Sequence, residues 1–399
     1  MPTLSKTDKK KYLDRALKAA DWFVNAQIAH PKPWYGDLYR FPYYYNFKEK
    51  KKVPGLNWTH GRALFVLTEA YHITQDDKYL NSINLGLRFV RALQPLNPFE
   101  PVTHGSFREE LPQAPRGGIL DGAQAASGML MVHEATGCED GLRRGRAFCD
   151  FLKRTHCPQY GLVSFVEYYP ERIKYFDQGW QFTMHHCSAI PIWHYYRLTG
   201  DRSHLPVLID VADRAIKNQR PEGCFNYLDA FPPTAPKTQP NHHEGYGKGD
   251  EIKIIRNDDG LVTLILAAYK ATGDKKYLDS MVRYAEWIVE NEPHERPYNA
   301  FGIQASNVYD IGKVAGKDWT PWILDNLQAR CLDLQMLDSG DKDADGGFRG
   351  EDEEGGGGIW GGDSLDYIPT RNTCYMAGLL FRLSGQGRGS GFSVFGLKD

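Results

Sequence analysis

Long apolar runs, paired cysteine motifs and an excess of charge of one sign are all missing from this sequence. No stretch approaches the roughly 18 apolar residues that a membrane-spanning helix needs, so no membrane contact is expected. Lys and Arg total 48 against 50 Asp and Glu, and this balance argues against the basic surface of a nucleic-acid-binding protein. The seven cysteines show no CxxC spacing and are odd in number, which favours reduced thiols over a disulfide framework or zinc ligation.

A secretory signal is also missing. The segment from Met1 to Leu13 is polar and rich in lysine, without the apolar core that a signal peptide carries. The sequence therefore predicts a cytoplasmic protein, or a periplasmic one if a signal peptide has been removed.

An internal repeat is the strongest positive feature. An apolar helix reaches Thr-Gly or a close variant, the glycine supplies a left-handed cap, and an acidic residue opens the next amphipathic helix. Each copy predicts a tight turn between two helices. Four clear copies end at Leu80, Gly137, Leu205 and Leu278, and weaker ones contain Gly316 and Gly385.

Twelve helices follow from these six turns and from the apolar periodicity around them. Helices that lead into a turn are rich in small and apolar residues, whereas those that follow it carry a polar stripe. This alternation predicts an all-α (α/α)6 toroid of six helical hairpins, forming one domain over residues 1–399. An open solenoid of helical pairs is the alternative. The predicted helices span 5–29, 59–75, 77–94, 119–137, 139–156, 185–200, 202–219, 258–273, 275–292, 303–316, 319–337 and 370–385.

The connections that enter the inner helices are long, so one end of the toroid is predicted to carry a deep rim. Long loops in a compact domain commonly carry function. Segments 34–47, 165–182 and 358–367 interleave aromatic residues with Asp, Glu and Arg. This composition is typical of sugar binding, because sugar C–H faces stack on rings while hydroxyls and carboxylates take directional hydrogen bonds. The long loops span 30–58, 95–118, 157–184, 220–257, 293–302 and 338–369.

Several short motifs stand at or before the predicted inner helices. They are Trp58-Thr59-His60-Gly61, Asp121, Asp177, Asp258-Asp259 and Ile359-Trp360-Gly361-Gly362-Asp363. Together they resemble the six-hairpin glycosidase superfamily, nearest to the unsaturated glucuronyl hydrolases and their rhamnogalacturonyl relatives. The family pattern W-x-R-G-x-x-W, expected after Asp177, is replaced by Met184-His185-His186-Cys187. The resemblance covers nearly the whole chain and implies a toroid that acts on uronides, although this scaffold also serves other glycosidases, lyases and epimerases.

Two carboxyl groups are the candidate catalytic residues, because glycoside hydrolysis generally needs one protonated and one ionised carboxyl. Asp121 lies at the start of a buried inner helix, whose dipole would hold it ionised; its alternative role is an ordinary N-cap. Asp177 lies among aromatic residues that would raise its pKa and suit it to general acid work, with a structural loop carboxylate as the alternative. In the unsaturated-uronide hydrolases, the resemblance implies protonation of the C4=C5 double bond followed by addition of water.

Aromatic, imidazole and guanidinium side chains on the same rim are the candidate substrate contacts. Arg62 and Arg371 could pair with a substrate carboxylate, whereas His243 and Tyr246 would suit a lyase that abstracts the C5 proton of a uronate. The adjacent histidine pairs lack the helical spacing of a zinc site. The full set comprises Tyr44, Trp58, His60, Arg62, Trp180, His185, His186, His243, Tyr246, Asp259, Trp360 and Arg371.

A possible structural calcium site is predicted in the last long loop. Asp341, Asp343 and Asp345 occupy positions 1, 3 and 5 of a calcium-loop pattern, with Gly346 at position 6 and Asp352 at position 12. The alternative is a solvated acidic turn, and no cofactor is required by the predicted chemistry.

Three functions remain open on the sequence alone. The leading prediction is an exo-acting glycoside hydrolase that releases a terminal uronic acid, glucuronic or 4,5-unsaturated, from an oligosaccharide. The alternatives are a polysaccharide lyase or a uronate or sugar epimerase on the same rim, and a non-catalytic carbohydrate-binding toroid.

Overall fold

The computed structural model describes residues 4–28, 39–158, 161–168, 171–174, 183–226, 260–291, 301–350 and 365–387. Twelve α-helices lie within these residues and alternate between an inner and an outer ring. The inner helices are α2 (Asn57–Thr74), α4 (Ile119–Thr136), α6 (Ile190–Thr199), α8 (Leu261–Thr272), α10 (Phe301–Ala315) and α12 (Thr370–Ser384). The outer helices are α1 (Lys6–Ala26), α3 (Asp77–Ala92), α5 (Glu139–Thr155), α7 (Leu205–Lys217), α9 (Lys275–Asn291) and α11 (Thr320–Arg330).

Contacts between successive inner helices close the inner ring. Each inner helix touches the next, and α12 returns to touch α2. Each inner helix also packs on the outer helix that follows it, and α12 packs on α1 in the same way. The predicted (α/α)6 toroid is therefore confirmed, and the open solenoid is excluded because the ring closes.

Burial explains which helices lie inside. Every residue of α2 from Asn57 to Ala70 is buried, whereas the buried residues of α9 recur every three or four positions from Tyr277 to Ile288. A helix that is apolar or small on all sides must be surrounded, and a helix with one apolar stripe can face solvent. The sequence difference between the two classes thus sets the order of the layers.

The short turns all follow inner helices, and we call this end of the barrel the turn end. Four inner helices finish on a left-handed C-cap glycine, at Gly137, Gly200, Gly273 and Gly385, with the backbone hydrogen bonds of a helix cap. The opposite end, where the inner helices begin and the long connections lie, is called the mouth.

Short strands form in the long connections at the mouth, a feature that the helical periodicity did not predict. Strands β1 (Pro42–Asn46), β2 (Lys51–Pro54) and β6 (Tyr367–Pro369) make one antiparallel sheet in the order β2-β1-β6. Strands β3 (Arg116–Gly118), β4 (Phe165–Tyr168) and β5 (Glu171–Lys174) make a second antiparallel sheet in the order β3-β4-β5. Strands β2, β3 and β6 lead almost directly into α2, α4 and α12, so the sheets fix how these three helices begin.

Two predicted helices differ from the observed ones. The helix predicted over 185–200 is α-helical only from Ile190, and Thr183–Ala189 form a 3₁₀ helix. Pro191 lies in the first turn of α6 and has no N–H to donate to the preceding turn, so the α-helix begins there. The helix predicted over 319–337 ends at Arg330 and is followed by a short 3₁₀ turn, Leu332–Leu334.

Two further expectations concern cysteine and membrane contact. None of the seven cysteines forms a disulfide bond. Among the described residues, no helix combines the length and the apolar character that crossing a bilayer requires.

Candidate functional site

Three adjacent inner helices, α12, α2 and α4, carry most of the described candidate residues at the mouth. Helix α2 lies between the other two and contacts both. Gly61 lets α2 and α4 approach closely, because a Cβ at this position would lie 2.4 Å from the main-chain oxygen of Gln124. The first turns of α2 and α4 therefore meet at the mouth, with the last glycine of the W-T-H-G motif at their crossing.

An aromatic and guanidinium cluster fills the space between α2 and α12. The guanidinium carbon of Arg62 lies 5.2 Å from the ring centre of Trp58 and 4.6 Å from that of Tyr375. The guanidinium of Arg371 lies 5.7 Å from the same Tyr375 ring. Arg62 is buried and Arg371 is half-buried. The predicted pair of arginines is thus brought together across one tyrosine, which sequence analysis did not single out.

Five buried polar atoms without hydrogen-bond partners in the described structure lie in the first halves of α12 and α4, and others lie on α6 and α10. On α12 they are Arg371 Nε, Asn372 Nδ2 and Tyr375 OH, and on α4 they are Gln124 Oε1 and Ser127 Oγ. A buried polar atom without a hydrogen-bond partner destabilises the folded state by about 1–3 kcal/mol. Most buried polar atoms in proteins therefore have a partner. Their clustering in the first half of two inner helices marks a place that suits a polar ligand.

Asp121 lies at the third position of α4, in its first turn, and is half-buried. The N-cap is Gly118, so the alternative reading of Asp121 as the N-cap itself is wrong. Its carboxylate turns back over the cap, because a Cβ at Gly118 would lie 3.0 Å from Asp121 Oδ2. The absence of a side chain at Gly118 therefore leaves room for a carboxylate at the positive end of the helix dipole.

Glu109 is a second carboxyl at this rim, and sequence analysis missed it. Its main chain accepts a hydrogen bond from Asn57 N at the start of α2 and donates one to Arg116 in β3. Burial raises the pKa of Glu109. The positive charge of Arg116, whose Nε lies 3.9 Å from Glu109 Oε2, lowers the pKa but only partly offsets the effect of burial. A carboxyl that holds its proton more tightly is suited to general acid catalysis. The only sequence signal was its place in a long loop.

His60 has a structural position that does not support the predicted substrate contact. Its side chain is fully buried, with Nδ1 2.8 Å from the Leu56 carbonyl oxygen and Nε2 accepting a hydrogen bond from Phe41 N. Burial lowers its pKa to about 3, which keeps the imidazole neutral. Both ring nitrogens are therefore used to hold the segment before β1 against α2.

His185 and His186 lie in the 3₁₀ helix before α6. His185 is half-buried and His186 is fully buried. The burial of His186 does not support its predicted contact with substrate, whereas His185 remains a candidate.

The remaining predicted contacts in the described residues are aromatic. Trp58 is buried with 7% exposure, and Tyr44 on β1 is half-buried. The rings of Tyr44 and Tyr367 stack with their centres 4.5 Å apart and their planes within 15°. Tyr44 thus lies on the mouth-side sheet, as a candidate contact should.

The predicted calcium loop has protein cations as partners. Asp341 accepts hydrogen bonds from Lys50 and from Tyr45 OH, and Asp343 pairs with Lys52 at 3.0 Å. Burial raises the pKa of Asp341, but these hydrogen bonds outweigh it and leave the pKa below its usual value.

Asp345, the third predicted ligand, accepts hydrogen bonds from the main chain and hydroxyl of Ser339. Within the described part of the chain, no group of three or more His, Cys, Asp or Glu side chains could hold a metal ion. Lys50 and Lys52 thus join two of these carboxylates to the β1-β2 hairpin, and Asp352, at position 12 of the predicted calcium loop, lies outside the described residues.

The other predicted site residues lie outside the described residues. They are Asp177, Trp180, His243, Tyr246, Asp259 and Trp360. The described candidate residues therefore lie on the α12-α2-α4 side of the mouth, except for His185 and His186 before α6.

Ion pairs join neighbouring inner helices near the turn end, which distinguishes that end of the barrel from the mouth. Arg382 in the last turns of α12 donates to both carboxylate oxygens of Asp310 on α10, at 2.9 and 2.8 Å, and both side chains are buried. Burial would lower the pKa of Arg382, but Asp310 raises it above its usual value. Arg197 on α6 forms a similar two-fold pair with Glu134 on α4.

Comparison with known proteins identifies the fold. No protein-family model and no curated protein sequence matches the chain. Among solved structures, a cellobiose 2-epimerase from Bacillus thermoamylovorans matches with a TM-score of 0.67 and 11% identity, over 95% of this chain and 100% of that one.

Two further solved structures have the same architecture. A family 76 glycoside hydrolase (mannosidase) from Bacteroides thetaiotaomicron matches with a TM-score of 0.64 and 13% identity, over 94% of this chain and 98% of that one. An unsaturated glucuronyl hydrolase from a Bacillus species matches with a TM-score of 0.62 and 16% identity, over 96% of this chain and 99% of that one. At such identities the likeness shows the fold alone, and this chain shares the (α/α)6 toroid of these solved structures.

Proposed function

We propose that the protein is a carbohydrate-active enzyme, an exo-acting glycoside hydrolase that releases a terminal uronic acid from an oligosaccharide at the mouth of the toroid. The observation that carries this proposal is Arg371. Within the described residues its guanidinium lies on Tyr375 with no carboxylate in ion-pair distance, and its Nε is buried without a hydrogen bond. A substrate carboxylate would supply the missing partner.

The carboxyl groups of the same rim supply the chemistry. Asp121, held at the start of α4, is the candidate ionised group, because the helix dipole favours its negative charge. Glu109, whose pKa is raised by burial, is the candidate proton donor, together with or in place of Asp177. An acid and a base that differ in this way match the division of work in glycoside hydrolysis.

Fold neighbours support carbohydrate as the substrate class. The α-1,6-mannanases of Salegentibacter were solved in complex with α-1,6-mannotriose and α-1,6-mannotetrose. Those ligands belong to those proteins, and the arginine in the mouth is what favours a uronide here.

An epimerase is the second candidate. His185 is half-buried at the start of an inner helix, and an imidazole can move protons at neutral pH. The fold similarity to cellobiose 2-epimerases of Bacillus thermoamylovorans and Spirochaeta thermophila supports this alternative.

A substrate panel tests both functions. The purified protein is incubated with para-nitrophenyl β-glucuronide, lyase-generated unsaturated disaccharides and cellobiose, while nitrophenol, the ultraviolet absorbance of the C4=C5 bond and the epimer ratio are followed. Nitrophenol release or a fall in absorbance would support the hydrolase, and conversion of cellobiose to its epimer would support the second candidate. A rise in absorbance on intact uronic-acid polysaccharide would replace both with a lyase.

Variants of Arg371 test the uronide preference. Arg371→Met should raise KM for the uronide by about tenfold to hundredfold, because a hydrogen-bonded charge is worth about 1.5–3 kcal/mol. Arg371→Lys should recover part of this loss. Turnover of the matched para-nitrophenyl β-glucoside should not depend on this residue; equal losses on both substrates would contradict the proposed carboxylate contact.

A further inference from the structure

Four aromatic rings form a continuous line on the β2-β1-β6 sheet. It begins at Trp58 at the start of α2, whose ring centre lies 5.4 Å from that of Tyr43. Tyr43 lies 6.0 Å from Tyr44, and Tyr44 lies 4.5 Å from Tyr367. The line therefore runs from the arginine cluster of the mouth to the strand that precedes α12. We call these four residues the aromatic track.

A β-bulge makes this line possible. Pro42 pairs with Pro54 and Tyr44 with Val53, so the register between β1 and β2 shifts at Tyr43, which is the extra residue of the bulge. In a regular strand Tyr43 and Tyr44 would point to opposite faces. The bulge breaks this alternation, and both rings are half-buried and in contact with each other.

The next residue shows the contrast. Tyr45 is 1% exposed, and its hydroxyl donates a hydrogen bond to Asp341 behind the sheet. Tyr44 and Tyr367 are half-buried, and in the described structure neither phenol forms a hydrogen bond with protein. Of these three tyrosines, Tyr45 thus anchors the sheet, whereas Tyr44 and Tyr367 have ring surface and hydroxyls available.

We propose that the half-buried rings of Tyr43, Tyr44 and Tyr367, which the buried Trp58 connects to the mouth, bind the second and later sugar units of an oligosaccharide whose terminal unit lies beside Arg371. This inference rests on the proposed function and adds which residues bind the sugar units beyond the terminal one. Pyranose C–H faces stack on half-exposed rings, and phenol hydroxyls hydrogen-bond to sugar hydroxyls. The aromatic track favours a sugar chain over an apolar ligand, because every ring in it carries a polar group at its edge. The line is also continuous with the mouth, where the terminal sugar is proposed to bind.

Binding of size-defined oligosaccharides tests the track. Calorimetric Kd values are measured for an unsaturated disaccharide and hexasaccharide from hyaluronan, and for α-1,6-mannobiose and α-1,6-mannotetraose. The wild-type protein should bind the longer member of at least one series about tenfold more tightly than the shorter one, as expected if one or two stacking contacts are added. Tyr44→Ala and Tyr367→Ala should remove this difference, and Tyr44→Phe should keep most of it.

Tyr71→Ala is the matched control. Tyr71 is half-buried on α2, the helix that begins with Trp58, but lies near the other end of that helix. It should keep the chain-length preference, and a thermal melt of each variant identifies misfolding. A wild-type protein without chain-length preference in either series would overturn the track, as would a preference that survives both alanine variants. If no uronide is turned over but the preference is present and lost in the variants, the track stands and the proposed hydrolase fails.

Discussion

Helix α12 carries two arginines on one face, and the difference between them separates stability from function in this protein. Arg371 and Arg382 are about three helical turns apart, so their side chains lie on the same side of the helix. Arg382, in the last turns, is held by both oxygens of Asp310. Arg371, at the mouth, contacts the Tyr375 ring and has no carboxylate partner in the described structure.

The comparison teaches that burial of charge alone does not mark a site. Arg382 is the more buried of the two, yet its donors are occupied by Asp310 and by a main-chain oxygen. Arg371 keeps a buried Nε without a partner beside other such atoms. An unsatisfied donor, rather than charge, distinguishes Arg371 at the mouth from Arg382 near the turn end.

Asp121→Asn should have the largest effect on the mouth. We expect kcat on the substrate identified by the panel to fall by about 10²–10⁴-fold, as for loss of an acid or base group. The free energy of unfolding should change by about 1 kcal/mol or less, because Asn has nearly the same size and shape as Asp and residue 121 is only half-buried. Denaturant titration and steady-state kinetics measure the two effects.

Glu139→Gln is the control for this change, because Glu139 is also an acidic residue in the first turn of a helix but lies on the outer ring. It should cost a similar small amount of stability and no activity. If both variants lose activity equally, Asp121 acts only through helix stability and its catalytic assignment fails.

Asp310→Ala should have the largest effect on stability. It leaves Arg382 buried without its partner, which typically costs about 3–5 kcal/mol. Arg371→Met is the matched comparison at the mouth and should change the free energy of unfolding by about 0.5 kcal/mol or less. Similar losses for the two variants, measured by urea denaturation, would remove the distinction between the ends of α12.

Lowering the pH should destabilise the protein through His60. The pKa of His60 is about 3 in the folded state, compared with an ordinary value of 6.5. At a pH between these two values, the unfolded chain binds a proton at His60 that the folded protein does not bind. The contribution is complete above the unfolded pKa and is lost as the pH falls towards the folded one, by about 1.4 kcal/mol per pH unit.

Unfolding free energies of the wild type and His60→Gln, measured at several pH values between the two pKa values, isolate this contribution from that of the other histidines. The wild type should lose more stability than the variant as the pH falls. Parallel curves would show that His60 is not held neutral by burial.

Lys52→Met should have the smallest effect. The ion pair with Asp343 is partly exposed, and such pairs contribute about 0–1 kcal/mol. Salt should reduce the difference between variant and wild type. A loss above about 2 kcal/mol in a thermal or urea melt would show that the lysines hold the hairpin more strongly than surface pairs do.

The fold was predictable from the sequence because its signals are local. Each Thr-Gly turn and each stripe of apolar residues specifies a helix end or a buried face without reference to distant residues. The same local reasoning failed at Pro191, where the missing N–H outweighs helical periodicity.

The site was predictable only in part, because its contacts join distant segments. Trp58, Arg62 and Arg371 were identified from their places at helix starts, but Tyr375, which brings the arginines together, lies in an unremarkable helical sequence. The acidic loop at Asp341 matched a calcium pattern because spacing alone does not show that Lys50 and Lys52 lie opposite it. The bulge at Tyr43 depends on strand pairing, which the sequence pattern did not indicate.

Helix α1 packs on α12 as the other outer helices pack on the inner helices that precede them. The order of the hairpins along the chain therefore depends on where the chain is connected and not on how the helices pack. The first outer helix serves the last inner helix, and the glycine that ends α12 lies within 4 Å of the Lys9 side chain of α1 if a Cβ is placed on it. This junction takes the place that a covalent turn such as Gly137 takes in the other hairpins. A circular permutant joined across α12 and α1 and opened at Gly137 should therefore assemble the same ring, with its new ends far from the mouth.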